Sequence, residues 1–220
     1  TGIERRQFSQ LQIDRFYRDQ RLAAMEEDFP PHLCLKLEAL ENPQHQAIAR
    51  YDRQQRAMLP LRPLPTEGFW GITPRNLEQK FALELLAHPD IHLVTLVGRA
   101  GTGKTLLALA AGLQAVTEAQ QYSRLLVSRP VFPMGRDLGF LPGDVEEKLA
   151  PWMQPINDNL DLLLNQHGSG RRSQQRHQEL KDLGIIAVEP LTYIRGRSIP
   201  HQYMIVDEAQ NLTPHEVKTI

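Results

Sequence analysis

Cysteine is nearly absent from this 220-residue sequence, where Cys34 stands alone. A single thiol excludes an intrachain disulfide and any cysteine-built metal cluster, and it fits a reducing cytoplasm. No run of about 18 apolar residues occurs, so no membrane-spanning helix is expected. The start of the chain also lacks the features of a signal peptide. Neither charge sign is in excess: 25 Lys and Arg face 26 Asp and Glu, a formal net charge of −1. Global attraction to nucleic acid or to an anionic membrane is thereby excluded, and any polyanion must meet a local patch. Low-complexity tracts and internal repeats do not occur. What remains is a composition ordinary for a globular protein, 41% hydrophobic, expected in the cytoplasm and long enough for one α/β domain with a smaller accessory segment.

Residues 1–62 hold ten Lys and Arg against nine Asp and Glu. Leu11, Phe16 and Tyr17 suggest a helix near 4–28, ended by Pro30-Pro31. A second helix is expected over about 43–58 on Ile48, Tyr51 and Met58, with Arg50, Arg53 and Arg56 on a solvated outer face. Pro60, Pro63 and Pro65 then read as a stiff linker. From Gly68 the pattern changes to alternating α and β elements. A helix runs from the Thr73-Pro74 cap to about Ala87, and a strand follows over 92–98. A glycine loop leads into a helix reaching about Gln121. Further strands are expected over 124–129, 185–188 and 203–206. Val131 to Pro142 reads as a loop. Asp144 caps a helix interrupted around Pro151 and Pro155 and ending near Leu164. A polar basic stretch, 166–175, precedes a short helix near 174–183. Thr213-Pro214-His215-Glu216 is a capping box with proline at the first helical position. So few residues follow it that the chain is expected to be a fragment of a longer protein.

The chemistry concentrates in Gly98-Arg99-Ala100-Gly101-Thr102-Gly103-Lys104-Thr105, a complete G-x-x-x-x-G-K-T loop between an apolar run and an apolar helix. Its glycines let backbone N–H groups close around an anion, and the helix N-terminus behind them adds positive potential. Lys104 suits the β- and γ-phosphates, and the Thr105 hydroxyl suits Mg²⁺. The loop therefore points to a nucleoside triphosphate. About a hundred residues later, Asp207-Glu208 ends an apolar strand. Asp207 is placed to steady Mg²⁺ together with Thr105, and Glu208 to take a proton from the attacking water. The alternative is a charged strand end stabilised by the dipole of the next helix.

Gly98 to Leu113, Arg129-Pro130 with Gly139-Phe140-Leu141-Pro142-Gly143, Arg195-Gly196-Arg197, and Val206 to Asn211 together resemble the PhoH ATPase family. The LGFLPG segment and the RGR-to-DEAQN spacing are the specific parts. The resemblance covers about residues 70–220 and implies a P-loop NTPase fold, a parallel sheet flanked by helices, incomplete at its C-terminus. Trp70 to Gln79 looks most like the longer members, in which a PIN ribonuclease domain precedes the PhoH module. Residues 1–69 would then be a helical, proline-rich connector, with any nuclease upstream of Thr1. PhoH modules are similar to superfamily 1 helicases, which implies that Gln79 reads the adenine edge, as a primary amide can. The resemblance also implies a ring-forming homo-oligomer, and a strand lying between the phosphate-loop strand and the Asp207 strand. That strand and a later arginine finger are not found before Ile220, so a gap in the sheet is expected.

Arg129, Arg136, Arg195 and Arg197 are the candidates for nucleic-acid contact, with Tyr193 and Phe132 as aromatics able to stack bases. Arg129 follows a strand, where loops of parallel sheets gather around ligands. The competing reading pairs these arginines with nearby carboxylates. Gln210 is a candidate sensor of the γ-phosphate. These readings combine into an ATP- and Mg²⁺-dependent ATPase coupled to remodelling of single-stranded RNA or DNA. A nucleotide-dependent switch without hydrolysis and a P-loop kinase are the alternatives.

Overall fold

Alternation of side chains decides the first sixty residues. In the computed structural model, which describes residues 3–24, 29–130, 145–166, 178–194 and 196–218, they form five strands and one helix. These are β1 (Ile3–Phe8), α1 (Gln10–Asp19), β2 (Leu22–Ala23), β3 (Cys34–Ala39), β4 (Gln46–Asp52) and β5 (Ala57–Pro60). They build one sheet in the order β1-β3-β4-β5-β2. β1 runs parallel to β3, and the other pairs are antiparallel. The β3–β4 register sets Leu35 opposite Ala49 and Leu37 opposite Ala47, so large and small side chains share one buried face. Ile13 and Phe16 of α1 join that core with Leu33, Tyr51 and Met58. A capping box between Ser9 and Gln12 starts α1, and Gln20 ends it in the left-handed region.

Two expectations fail here. The helix foreseen near 4–28 is a strand, a ten-residue helix and a two-residue strand. The helix foreseen over 43–58 is the β4–β5 hairpin. The described residues up to Pro60 therefore form a mixed sheet with one helix, where a helical segment was expected. Arg50, expected on a solvated face, is 4% exposed. Its Nε donates to Glu84 Oε1 at 3.2 Å, and its Nη1 lies 3.0 Å from His32 Nδ1.

The chain divides into two compact units, residues 1–64 with 76–84, and residues 65–75 with 85–220. Helix α2 (Leu77–Leu86) supplies Glu84 to the first. The second contains α3 (Lys104–Leu113), β6 (Arg124–Arg129), α4 (Val145–Gln166), β7 (Ile186–Pro190) and β8 (Gln202–Val206). Its sheet is wholly parallel, ordered β7-β6-β8. All three strands fall within two residues of the positions expected from their apolar runs. α4 passes through Pro151 and Pro155 as one helix, where an interruption was expected. Buried Ile156, Leu160, Leu163 and Leu164 anchor it.

Helix α3 lies close to the sheet. A Cβ on Gly112 would come 2.7 Å from Leu125 Cδ1 and 3.0 Å from Tyr203 Cδ1. Tyr203 Oη donates to the Leu86 carbonyl at 3.3 Å, and burial pushes its phenol pKa upward. After Leu113 the helix widens into a π-turn, Gln114–Glu118. Thr117 Oγ1 donates to the Leu113 carbonyl at 2.8 Å and accepts the indole N–H of buried Trp70 at 3.0 Å. Trp70 is carried on a tight turn that begins at Gly68. There φ is +76°, and a Cβ would sit 2.3 Å from the Ile72 carbonyl oxygen, so only glycine fits.

The strand expected over 92–98 is not formed. Residues 91–99 join no ladder among the described residues, and Leu93 and Val97 are 84% and 96% exposed. An apolar run becomes a strand only beside a hydrogen-bonding neighbour, and among the described residues β8 pairs with β6 alone. Among the described residues, no helix is long and apolar enough to cross a membrane.

Candidate nucleotide site

The glycine loop leads directly into α3. Gly103 stands at its N-cap with φ +84°, a left-handed conformation that suits glycine, and its carbonyl accepts the Leu107 N–H at 2.9 Å. Thr102 Oγ1 donates to the Arg99 carbonyl at 2.8 Å and ties the loop across its base. Lys104 Nζ donates to the carbonyls of Gly98 and Arg99 at 2.9 and 3.0 Å. Its ammonium thus lies over the curl of the loop, whose amides can face an anion.

Strand β8 delivers the carboxylates. Parallel pairing sets Ser128 beside Val206, and the ladder extends one bond further, Asp207 N–H to Ser128 O at 2.8 Å. That bond places Asp207 opposite the start of α3. Thr105 Oγ1 donates to Asp207 Oδ1 at 2.8 Å across 102 positions of sequence. A hydroxyl and a carboxylate oxygen are hard donors of the kind Mg²⁺ takes beside phosphate oxygens. Thr105 and Asp207, picked from sequence as metal partners, are therefore brought together.

Glu208 follows in the left-handed region, at φ 51° and ψ 39°. Such a backbone costs a non-glycine residue about 1–2 kcal/mol, so its surroundings must hold it there. Its Oε2 accepts from Gln210 Nε2. Its Oε1 lies 3.7 Å from Arg129 Nη2. Arg129 Nη1 also donates to the Trp152 carbonyl on α4 at 3.4 Å.

The family model described as PhoH-like protein matches residues 71–220. The chain belongs to the PhoH-like family. Protein PhoH2 of Bacillus subtilis is 58% identical over 154 residues, 70% of this chain and 34% of that protein. Protein PhoH2 of Mycolicibacterium smegmatis is 36% identical along all of this chain and 48% of its own length. A PhoH-like protein of Bacillus subtilis is 40% identical over 126 residues, 57% of this chain and 37% of that protein. The chain thus spans about a third to a half of the length of the curated relatives it matches. PhoH-like membership and the glycine loop together mark a P-loop nucleotide-binding protein of mixed α/β architecture.

The remaining PhoH-like candidates separate. Arg197 Nη1 donates to Glu189 Oε2 at 2.5 Å, and Arg124 Nη2 lies 3.8 Å from the other oxygen of that carboxylate. Both described candidate arginines, Arg129 and Arg197, therefore have acidic partners, as the competing reading required. Arg136, Arg195, Phe132 and the LGFLPG segment lie outside the described residues. Gln79 sits in the first turn of α2, its N–H accepted by Asn76 Oδ1 at 2.8 Å.

Sequence reasoning missed Ser128 and Glu189. Ser128 is fully buried, its carbonyl holds Asp207, and its Oγ has no hydrogen-bond partner among the described residues. A hydroxyl inside the apolar run Leu125-Leu126-Val127 was the available signal. Glu189 gave none, because a lone glutamate in a short strand looks like an ordinary solvated position.

Proposed function

We propose that this chain carries the nucleotide site of an ATPase that couples hydrolysis to the remodelling of single-stranded RNA or DNA. The observation that carries this reading is the 2.8 Å contact between Thr105 and Asp207, with Glu208 as the next residue. It joins the phosphate-binding helix to a carboxylate able to share Mg²⁺, and Glu208 beside it would supply the second carboxylate that hydrolysis needs in addition. The loop amides and Lys104 would hold the β- and γ-phosphates. Thr105 and Asp207 would hold Mg²⁺, which supplies charge neutralisation when bound. Water would attack the γ-phosphorus in line as the bond to the bridging oxygen breaks. Glu208 would take the water proton, and ADP would leave.

The test is phosphate release by the full-length protein with and without single-stranded RNA or DNA. Stimulation by either polymer is expected, and Glu208→Gln should retain bound ATP without releasing phosphate. Loss of ATP that depends on a small-molecule acceptor would replace this reading with a kinase. The engagement of both Glu208 oxygens, by Arg129 and Gln210, is the observation that favours the second reading, a nucleotide switch. Retention of ATP with no phosphate release under any condition would establish that switch.

A further inference from the structure

Glu208 is the residue assigned to accept a proton, yet each of its oxygens already faces a donor. Gln210 Nε2 donates to Oε2, and the Arg129 guanidinium stands 3.7 Å from Oε1. A general base needs an oxygen aimed at the water it deprotonates, and this carboxylate, hydrogen-bonded by Gln210 and drawn towards the Arg129 charge, is aimed by those two side chains instead. The arrangement is fixed from the backbone upward. Arg129 is the last residue of β6 and Glu208 lies two beyond the end of β8, while the bond from Asp207 N–H to Ser128 O locks the two strand ends in register. The Arg129 side chain is 22% exposed and the Glu208 side chain 40%, so both can be reached from solvent.

The contact is also one that can be exchanged. A half-exposed ion pair at this separation is weak. A guanidinium prefers a phosphate, which it can grip with two parallel N–H groups. Arg129 stands at the carboxyl end of a parallel strand, where ligands of such sheets are met.

We infer that Arg129 is a positioning residue that holds the Glu208 carboxylate when no polymer is bound, and transfers its guanidinium to a backbone phosphate of a bound single strand, freeing Oε1 to face the attacking water. This rests on the proposed hydrolytic, polymer-coupled function. It makes stimulation a matter of exchanging one partner of Arg129. No bond is made or broken in the exchange, and the proton stays with the water until hydrolysis.

The test compares wild type, Arg129→Ala and Arg129→Lys in the full-length protein, measuring phosphate release against ATP concentration with and without a single-stranded RNA or DNA oligonucleotide. Arg129→Ala is expected to raise the polymer-free kcat about twofold to fivefold, as the loss of a weak ion pair allows. The KM for ATP should be unchanged, and stimulation by the oligonucleotide should fall towards one. Its salt slope of binding should drop by roughly 0.7, one phosphate contact on a single strand. Arg129→Lys should restore part of the stimulation, since it keeps the charge but loses the fork. A merely structural role would lower both rates together and leave their ratio intact, and that outcome overturns the inference. A raised KM for ATP with unchanged stimulation would move Arg129 to the γ-phosphate and overturn it equally. A wild-type protein that hydrolyses ATP with no response to either polymer would refute the functional reading itself, whatever the variants do.

Discussion

The two units of the chain treat polar groups in opposite ways. In the first, the pair between Arg50 of β4 and Glu84 of α2 is sealed from solvent, at 4% and 1% exposure. In the second, Lys104, Asp207, Glu208 and Arg129 gather at the carboxyl ends of parallel strands, where all are at least partly open to solvent. Sealed charges can only stabilise or destabilise the fold. Open ones can change partners. The contrast predicts that substitutions in the two groups will be read by different instruments.

Lys104→Ala should produce the largest effect, a loss of ATP turnover of about a hundredfold or more, because a single charge-stabilising donor is worth that much at a reacting centre. Thermal unfolding of the same variant should match wild type. A fall in melting temperature comparable to that of a core mutation would break the contrast.

Glu84→Ala should do the reverse in the first unit. It removes the nearer carboxylate from the buried Arg50 charge and leaves Asp52, 4.0 Å away, a defect that approaches the roughly 3–5 kcal/mol of a broken buried pair and is measurable by urea unfolding. Replacing both partners, Arg50→Met with Glu84→Leu, should recover most of that loss, because no charge is then buried. A double variant as unstable as the single one would show that the pair specifies the packing around it.

The smallest effect concerns Cys34, which lies in the same unit. Burial raises its thiol pKa from 9.0 to about 12, the Glu84 carboxylate adds to the rise, and Arg50 opposes it. Below pH 9 the folded and unfolded chains both keep this proton. Between pH 9 and 12 the unfolded chain releases it and the folded chain does not, so stability falls as pH rises through that window. Cys34→Ala should flatten the decline, as followed by denaturant titrations at several alkaline pH values. An unchanged slope would place the titrating group elsewhere.

The parallel unit was the more legible of the two from sequence, for a physical reason. Buried parallel strands are short continuous apolar runs, and 124–129 and 203–206 stand out from their polar surroundings. The Thr213 to Glu216 capping box was equally readable, since all its partners lie within four residues. The β4–β5 hairpin was not. Its buried face is Ala47, Ala49 and Tyr51, and two alanines support a helix as readily as a strand. Its turn holds no glycine or asparagine, and Arg56 takes the left-handed position at φ 47°. The run 92–98 was misread for the opposite reason, because its local pattern suits a strand while ladder partners are a long-range matter. At the site, the loop and the two carboxylates announced themselves by residue type. The contacts of Arg129 with Glu208 and of Arg197 with Glu189 depend on strand register, which no local pattern encodes.

The chain's two tryptophans give these arrangements an optical signature. Trp70 is 3% exposed with its indole N–H bonded to Thr117, a shielded emitter expected to report on the π-turn. Trp152 is half-buried on α4 and shares its peptide carbonyl with Arg129, so its emission has a wetter component. Emission from these two residues is therefore expected to sum two colours, the bluer one following the fold and the redder one the neighbourhood of the guanidinium.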